Sequence, residues 1–575
     1  MFELCDVSLL APAKPQERVV IGDVTATFPP GEVAVVTGPP GSGKSTLLQL
    51  LAGVRQPTFG EVSWEKEASA RPPVAYLPQG VLLNSPGDRL LTAAEHVKTA
   101  LRLRVTGQDR EERRDEVAAL LEKMDLAAEA DRRCGELTPG QRRRLAVAVA
   151  LAGSPGMLLC DETGEAFDPA AESAFAALLR KLAREERMAV VRVTNALDRL
   201  EECDTLLVLC GGLLVFHAPP VYLAPYFQLG AAPALFEQLG AQKPEAWRRS
   251  WSKHRAAFPS HPAAAALKSV PEAGAGEPGQ RPAVPGWFTQ SAAVAGRRWR
   301  RARRDVPALA LQAALLFGAP FAAAFFAAGD LPGLQALSTQ FHGDVAELLR
   351  ESAMFAVEAS RGVRLVAGLA IVQPLLLAFV AAATAAREIA GERVGLEIEK
   401  HRGLRPSAFV AGEAFSLIPR ILAQAAWMGA YVHGVCRLPG SLWMQIGALA
   451  LAQAAFTAFC LAVSALTRSS TRAAITCFCL AALQLPLSGA ALAPPELFLW
   501  VVRPLSTLPW GAAAYLQSME GTRFYEALRI ISPLPLFPVG LCALVLAAQT
   551  ALGLFLAHFG CKIVRLGVAW RRLGT

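Results

Sequence analysis

Charged residues are scarce in this chain: Asp, Glu, Lys and Arg supply 18% of its 575 residues, against 53% hydrophobic ones. The scarcity is uneven. Residues 1–230 compose like a soluble domain, whereas residues 297–575 carry long uncharged apolar runs. Such runs exclude a purely soluble protein and indicate an integral membrane one. Metal-site cysteine patterning is also missing, since the 11 cysteines are scattered without zinc-like spacing. The pair Cys477-x-Cys479 would point to nearly opposite sides of a helix, so membrane packing is its plain reading. Segments read as lying outside the membrane contain neither a cysteine pair nor an N-x-[ST] sequon, which favours a bacterial inner membrane over a secretory-pathway surface. No cleavable signal peptide is expected, because Met1-Phe2-Glu3-Leu4-Cys5-Asp6 reads as a strand start and the first apolar run is internal.

The length exceeds what one core can organise, so at least two domains are expected. Residues 1–230 alternate short β-like runs with helical stretches, the pattern of an α/β domain whose parallel sheet is covered by helices. Residues 231–296 read as a linker, and 256–286 are rich in Pro, Ala and Gly without periodicity. Residues 297–575 read as an all-α six-helix transmembrane domain. Its spans are expected near 306–328, 365–386, 412–436, 442–466, 473–493 and 536–559, each long enough for a hydrocarbon core of about 30 Å. The third is the weakest, because the stretch 409–436 holds Glu413 and Arg420. Seven residues apart, the two share a helix face and could line a substrate path. The preferred reading puts both at the cytoplasmic end, where Arg420 can snorkel.

Six spans place both termini on one side. That side is the cytoplasm, because it collects Arg297, Arg298, Arg300, Arg301, Arg303, Arg304 and the basic residues of the 387–405 loop. The net charge of +8 therefore needs no nucleic-acid partner. The arginine cluster reads as a topology anchor at the lipid bilayer, with attraction to anionic lipid as its companion. The stretches 329–364 and 494–535 are expected outside, the second with Phe498, Leu499 and Trp500 able to enter the outer leaflet.

Against this background one motif dominates. Gly38-Pro39-Pro40-Gly41-Ser42-Gly43-Lys44-Ser45-Thr46 fills every slot of G-x-x-x-x-G-K-[ST], between the strand-like run Val33-Ala34-Val35-Val36 and a helical run from Leu47. A glycine-rich turn there aims backbone N–H groups at a phosphate chain, at the positive end of a helix dipole. Lys44 would reach the β/γ-phosphates and Ser45 would ligate Mg²⁺. Val74-Ala75-Tyr76-Leu77-Pro78-Gln79 is a strand running into a glutamine, and Leu137-Thr138-Pro139-Gly140-Gln141-Arg142 precedes an alanine-rich helix. Met157-Leu158-Leu159-Cys160-Asp161-Glu162 is a hydrophobic strand ending in two acids, followed by Ala166-Phe167-Asp168. At a strand's carboxyl end Asp161 can hold Mg²⁺ through water, and Glu162 can polarise a water in line with the γ-phosphate. Gln79 can offer an oxygen to the metal.

In that order and at those spacings, the set resembles the nucleotide-binding domain of an ATP-binding cassette (ABC) transporter, across essentially all of residues 1–230. The resemblance implies a P-loop ATPase with ATP and Mg²⁺ as cofactors. It makes Gln79 the Q-loop residue, 137–141 the signature with Thr138, Gly140 and Gln141 turned to nucleotide, Asp161 the Walker B acid, Glu162 the catalytic base and Asp168 the D-loop acid. Three positions depart from the family pattern. Thr138 and Pro139 stand where the signature has Ser and Gly, and Pro139 removes a backbone donor. Asn195 stands where the switch histidine is expected; it can donate a hydrogen bond but carries no charge. The early segment from Val7 to Pro12 lacks the tyrosine that stacks on adenine.

Gly211-Gly212-Leu213-Leu214-Val215-Phe216-His217 with Tyr226-Phe227-x-x-Gly230 resembles the end of the nucleotide domain in the ABCG (White) subfamily. Arg387-Glu388-Ile389 with Glu392-Arg393, Pro419, and Leu487-Ser488-Gly489 resemble an ABC-2 type permease. These likenesses imply a half-transporter that works as a homodimer or heterodimer, exports its cargo, and uses 387–405 as a coupling element. A lipid-like or amphipathic cargo is expected from the apolar spans. The alternative is an ATP-binding but hydrolysis-impaired regulatory or mechanical subunit of a heterodimer, which Asn195 and Pro139 motivate.

Overall fold

The computed structural model describes residues 1–11, 18–64, 73–79, 87–161, 169–195, 202–230, 232–258, 284–327, 345–488, 502–520 and 536–563, with a few isolated positions between them. The chain forms two compact units. Among the described residues, the first gathers the sequence up to Gln290 together with Val394–Arg405; the second holds Ser291–Arg393 and the described residues from Pro406 to Ile563.

The first unit is built on nine strands: β1 (Phe2–Ala11), β2 (Arg18–Phe28), β3 (Val33–Thr37), β4 (Phe59–Trp64), β5 (Val74–Leu77), β6 (Met157–Cys160), β7 (Ala189–Val193), β8 (Thr205–Cys210) and β9 (Leu213–Ala218). They lie in the order β4-β1-β2-β9-β8-β3-β7-β6-β5. The run β8-β3-β7-β6-β5 is parallel, and β3, β6, β7 and β8 are buried at every residue. Continuous burial marks strands covered on both faces. Their pleat sorts the side chains: Val33, Val35, Leu158 and Val190 enter one core, Ala34, Val36, Leu159 and Val191 the other.

Helices α1 (Lys44–Leu51), α2 (Ala93–Arg104), α3 (Arg110–Lys123), α4 (Pro139–Leu151) and α5 (Pro169–Glu185) accompany the sheet. Leu47, Leu48 and Leu51 of α1 fill one core; Leu145 of α4 and Leu179 of α5 fill the other. Three further helices follow the last strand, α6 (Leu223–Phe227), α7 (Leu235–Gly240) and α8 (Pro244–His254). The reading of 231–296 as linker gives way here. Leu235, Leu239, Trp247 and Trp251 are buried in the nucleotide-domain core, and the Phe216 ring lies 5.2 Å from Trp251 and 5.5 Å from Tyr226. Two tryptophans four residues apart give α8 one apolar face, which Phe216 of β9 and Phe227 of α6 cover.

The second unit is helical. Helix α9 (Trp287–Arg304) enters it from Ser291 onward, and α10 (Val306–Ala327) and α11 (Val345–Ala385) follow. After the short α12 (Arg393–His401) come α13 (Pro406–Cys436), α14 (Leu442–Leu466), α15 (Ser470–Leu487), α16 (Leu508–Gln517) and α17 (Val539–Ile563). Among the described residues, five helices are long and apolar enough to cross a membrane by length and composition. They overlap the expected spans other than 412–436, which α13 carries together with its two charges.

Three boundaries differ from expectation. Helix α11 starts at Val345 rather than 365, so much of the expected 329–364 outer stretch is helix. Its first turns carry Glu347, Arg350, Glu351 and Glu358, charges that a helix accepts and a search for apolar runs rejects. Helix α15 ends at Leu487, one residue after Pro486, instead of 493. Within 494–535 lies α16, buried along its whole length, with Trp510 stacked on Phe537 at 4.6 Å. Phe498, Leu499 and Trp500 fall outside the described residues.

The basic cluster before the first span is also reassigned. Arg298 Nε donates to both oxygens of Glu413 at 2.6 and 2.7 Å, and its Nη1 meets Glu388 at 2.8 Å and Glu392 at 3.0 Å. Arg301 pairs with Glu392, and Arg297 approaches it at 3.6 Å. Half of the supposed anchor is thus the positive half of an interior ion network. Glu413 is fully buried within it, and Arg420, 15% exposed at its side chain, lies 3.9 Å from Glu388. A buried carboxylate is tolerable only when paired and hydrogen-bonded. Arg298→Ala, which strands Glu413, is expected to cost about 3–5 kcal/mol. Glu413→Gln leaves Arg298 its other two acids and should cost clearly less. Thermal unfolding of the two variants in detergent checks that order.

Candidate nucleotide site

The phosphate loop is set by its neighbours as much as by its own sequence. β3 delivers the chain to Gly38, whose φ of +147° is open to glycine; a Cβ there would stand 2.0 Å from the Leu209 carbonyl oxygen of β8. Gly43, at φ +95°, caps the start of α1 and has Ile21 Cδ1 2.7 Å from where a Cβ would be. Lys44 Nζ donates to the carbonyls of Gly38 at 2.6 Å and Pro39 at 3.2 Å, so the ammonium is held inside the loop at 8% exposure. Ser42 Oγ is buried without a hydrogen-bond partner, an orphaned polar atom in a cradle shaped by glycine.

β6 brings the second half. Asp161, which immediately follows it, is fully buried. Its Oδ1 accepts from Ser45 Oγ at 2.9 Å, its Oδ2 from the Tyr76 hydroxyl at 3.1 Å, and its own N–H donates to the Leu77 carbonyl at 2.9 Å. Serine hydroxyl and carboxylate side by side are hard oxygen donors of the kind Mg²⁺ takes. Burial and then the Asp161 charge push the Tyr76 phenol far above its usual pKa, so it remains a donor. Neither Tyr76 nor Gln49, which also bonds the phenol, was assigned a role from sequence. Tyr76 lies within the quoted strand run, three residues before Gln79, and only the spatial meeting of β5 with β6 discloses its task.

Gln79 is exposed two residues past the end of β5. Asn195 is exposed just beyond β7, where Thr194 N–H donates to Val36 O of β3 at 3.2 Å. The strand ends thus bring Gln79, Asp161, Asn195 and the phosphate loop to one edge of the sheet, the carboxyl end where open α/β sheets bind ligands. Glu162 and Asp168 lie outside the described residues.

At the start of α4, Thr138 is the N-cap of a complete capping box. Its Oγ1 accepts from Gln141 N–H at 3.3 Å, and Gln141 Oε1 accepts from Thr138 N–H at 3.0 Å. Pro139 occupies the first helical position, where a missing N–H costs the helix nothing. Thr138, Pro139, Gly140 and Gln141 border a cavity of about 560 Å³ shared with Arg143, Phe175 and Leu178. A Cβ added to Gly140 would meet nothing within 4 Å.

The segment Val394–Arg405 belongs to this unit. Arg402 Nη2 reaches the Tyr76 carbonyl at 3.4 Å, and Gln290 ties the segment down by accepting from Arg405 N–H at 3.1 Å and donating to Gly403 O at 3.0 Å. Burial lowers the pKa of Arg402, and neighbouring Arg104 lowers it further against Glu399. Burial likewise brings Arg104 down to about 10.

Residues 21–164 match the family described as ABC transporter, and residues 289–519 match the ABC-2 type transporter family. The methionine import ATP-binding protein MetN of Thermobifida fusca is 34% identical over 222 residues, 37% of this chain and 68% of that protein. This chain belongs to the ABC transporters. It joins an ATP-binding cassette to an ABC-2 type membrane domain and is an integral membrane protein. The ABC transporter ATP-binding/permease protein Rv1747 of Mycobacterium tuberculosis is 33% identical over 217 residues; the match spans 36% of this chain and 24% of that protein's length. A solved dimeric ATP-binding cassette, MJ0796 bound to ADP and Pi, aligns at 28% identity over 37% of this chain and 96% of its own, with a TM-score of 0.33.

The cassette's glycines give a graded test. Gly38→Ala drives a methyl into the β8 backbone and should abolish nucleotide retention and lower the melting temperature. Gly41→Ala has free space and only a positive φ to accommodate, a cost of about 1–2 kcal/mol. Fluorescent-nucleotide binding and thermal melting of both variants check the ranking.

Proposed function

We propose that this chain is one half of an ATP-driven exporter, working as a dimer in a bacterial inner membrane with both termini in the cytoplasm. The observation that carries the reading is the Ser45–Asp161 contact beside the Lys44 loop, in a chain whose described residues include five helices of membrane-crossing length. Lys44 would exchange the carbonyls of Gly38 and Pro39 for β/γ-phosphate oxygens. Ser45 and Asp161, with Gln79 nearby, would hold Mg²⁺, which would supply positive charge against the charge developing on the phosphates. Glu162, next in sequence to Asp161, would orient the attacking water, and Asn195 would donate to the γ-phosphate. Thr138, Gly140 and Gln141 of a second half would complete the site, with Asp168 at the junction. The open space over Gly140 supports an approach from outside the chain.

Transmission to the membrane half is assigned to Val394–Arg405. Arg402 bonds the carbonyl of the same tyrosine whose hydroxyl bonds Asp161. A change at the metal-binding aspartate therefore has a short physical route to that segment. Nucleotide would favour the closed pair of cassettes and hydrolysis would release it, which is alternating access driven by differential affinity for two states. Outward transport of a lipid-like or amphipathic cargo follows the ABC-2 likeness and the apolar spans.

Purified protein in liposomes tests the core of this. Wild-type protein should turn over ATP. Glu162→Gln should retain ATP while losing turnover by at least about a hundredfold, and Lys44→Ala should lose retention itself. Undiminished hydrolysis in the Glu162→Gln protein would remove the proposed chemistry.

A further inference from the structure

Arg143, Glu172 and Arg192 form an ion triad on the α4–α5 side of the sheet. Glu172 Oε2 accepts from Arg143 Nη1 at 2.5 Å, and its other oxygen accepts from Arg192 Nη2. The arginines are 5% and 8% exposed. Arg143 also lies over the Phe175 ring, 3.8 Å from its centre. A second acid, Glu202, accepts from Ser173 Oγ at 2.8 Å, and its charge acts on Arg192. Burial raises the Glu172 carboxyl's pKa, but the Arg143 hydrogen bond and both arginine charges more than reverse this, so it stays ionised.

Stability alone does not account for such a group, since well-packed apolar replacements of buried ion pairs are often neutral or stabilising. Its position in the chain is more informative. Arg143 stands five residues after Thr138, Glu172 four after Asp168, and Arg192 three before Asn195. On β7 the pleat puts Arg192 on the face of Val190, towards α4 and α5, in register with Cys160, the residue before Asp161. Three segments leading to the nucleotide edge therefore converge on one carboxylate.

We propose that Glu172 is a positioning residue: by holding Arg143 and Arg192 at once, it fixes the signature-bearing helix α4 against the strand that presents Asn195. The role rests on the hydrolysis reading given above. Glu172 acts through Thr138 and Asn195 and itself touches no nucleotide. Each of its oxygens serves a different arginine, so glutamine, with a single acceptor oxygen, satisfies one and turns an NH₂ donor to the other. The signature helix and the switch strand are then free to shift independently, and small misplacements are costly in rate.

The test uses the full chain in lipid. Glu172→Gln should lower kcat on the order of tenfold to a hundredfold and leave KM for ATP within about twofold, because the Lys44, Ser45 and Asp161 contacts are untouched. The apolar triple variant Arg143→Met, Glu172→Leu, Arg192→Met should melt at or above the wild-type temperature yet remain slow. A folded triple variant as fast as wild type overturns the proposal, as does a Glu172→Gln effect confined to KM. Should wild-type protein itself fail to turn over ATP, the hydrolysis reading falls separately. Hydrogen exchange then decides the positioning claim: faster exchange at 138–142 and 194–195 in the folded triple variant supports it, and unchanged exchange overturns it.

Discussion

A fully buried carboxylate organises the nucleotide unit. Asp161 has no solvent to stabilise its charge, and an unpaired buried charge is among the costliest things a fold can contain. A serine from the first turn of α1 and a phenol from β5 donate to it, while the residue's own N–H is tied to the Leu77 carbonyl of that same strand. Those partners are contributed by segments 116 and 85 residues away in sequence. They meet only if β5, β6, β7 and β3 stack in parallel and in register, which the apolar strands achieve by burying both faces. The loop that holds Lys44 is a consequence of the same stacking, because Gly38 must pass within touching distance of β8. Packing of the sheet and readiness for a phosphate are thus one constraint.

Much of that arrangement was legible in the residues. The phosphate loop is local: its glycines, lysine and serine fall within nine consecutive positions and adopt the strand-turn-helix context their spacing demands. The acidic strand end and the strand running into Gln79 are likewise one-dimensional signals, hydrophobic runs closed by polar residues. What could not be read is pairing at a distance. Tyr76 looked like one more strand residue until its hydroxyl was found on Asp161 and its carbonyl on Arg402, 326 positions onward. Residues 232–258 were missed for a related reason. Their apolar positions are few and widely spaced, and they become a core only because Phe216 and Tyr226 supply the other side.

In the membrane half, uncharged runs revealed the cores of the spans, and charge misled. A rule that assigns arginines to the water boundary treats each as solvated, whereas Arg297, Arg298 and Arg301 face Glu388, Glu392 and Glu413 instead. Opposite charges separated by about ninety residues or more in sequence give no periodic signal. The same blindness hid the first turns of α11, because a search for uncharged runs stops at the first cluster of charges.

The departures in the signature and switch positions have a physical reading that sequence comparison alone obscures. Thr138 closes a full capping box and Pro139 sits where the helix has no partner for an N–H, so α4 begins on a complete cap. The substitution therefore spares the fold. What it removes is one backbone donor at the positive end of α4, and Asn195 likewise offers an amide donor in place of an imidazolium. Both changes fall on donors that would face the nucleotide, and losing one contact that strengthens in the transition state typically costs on the order of 10²–10³ in rate. Because Lys44, Ser45 and Asp161 lie in contact with the loop and with one another, such a cost would fall on the chemical step and not on the capacity to hold nucleotide.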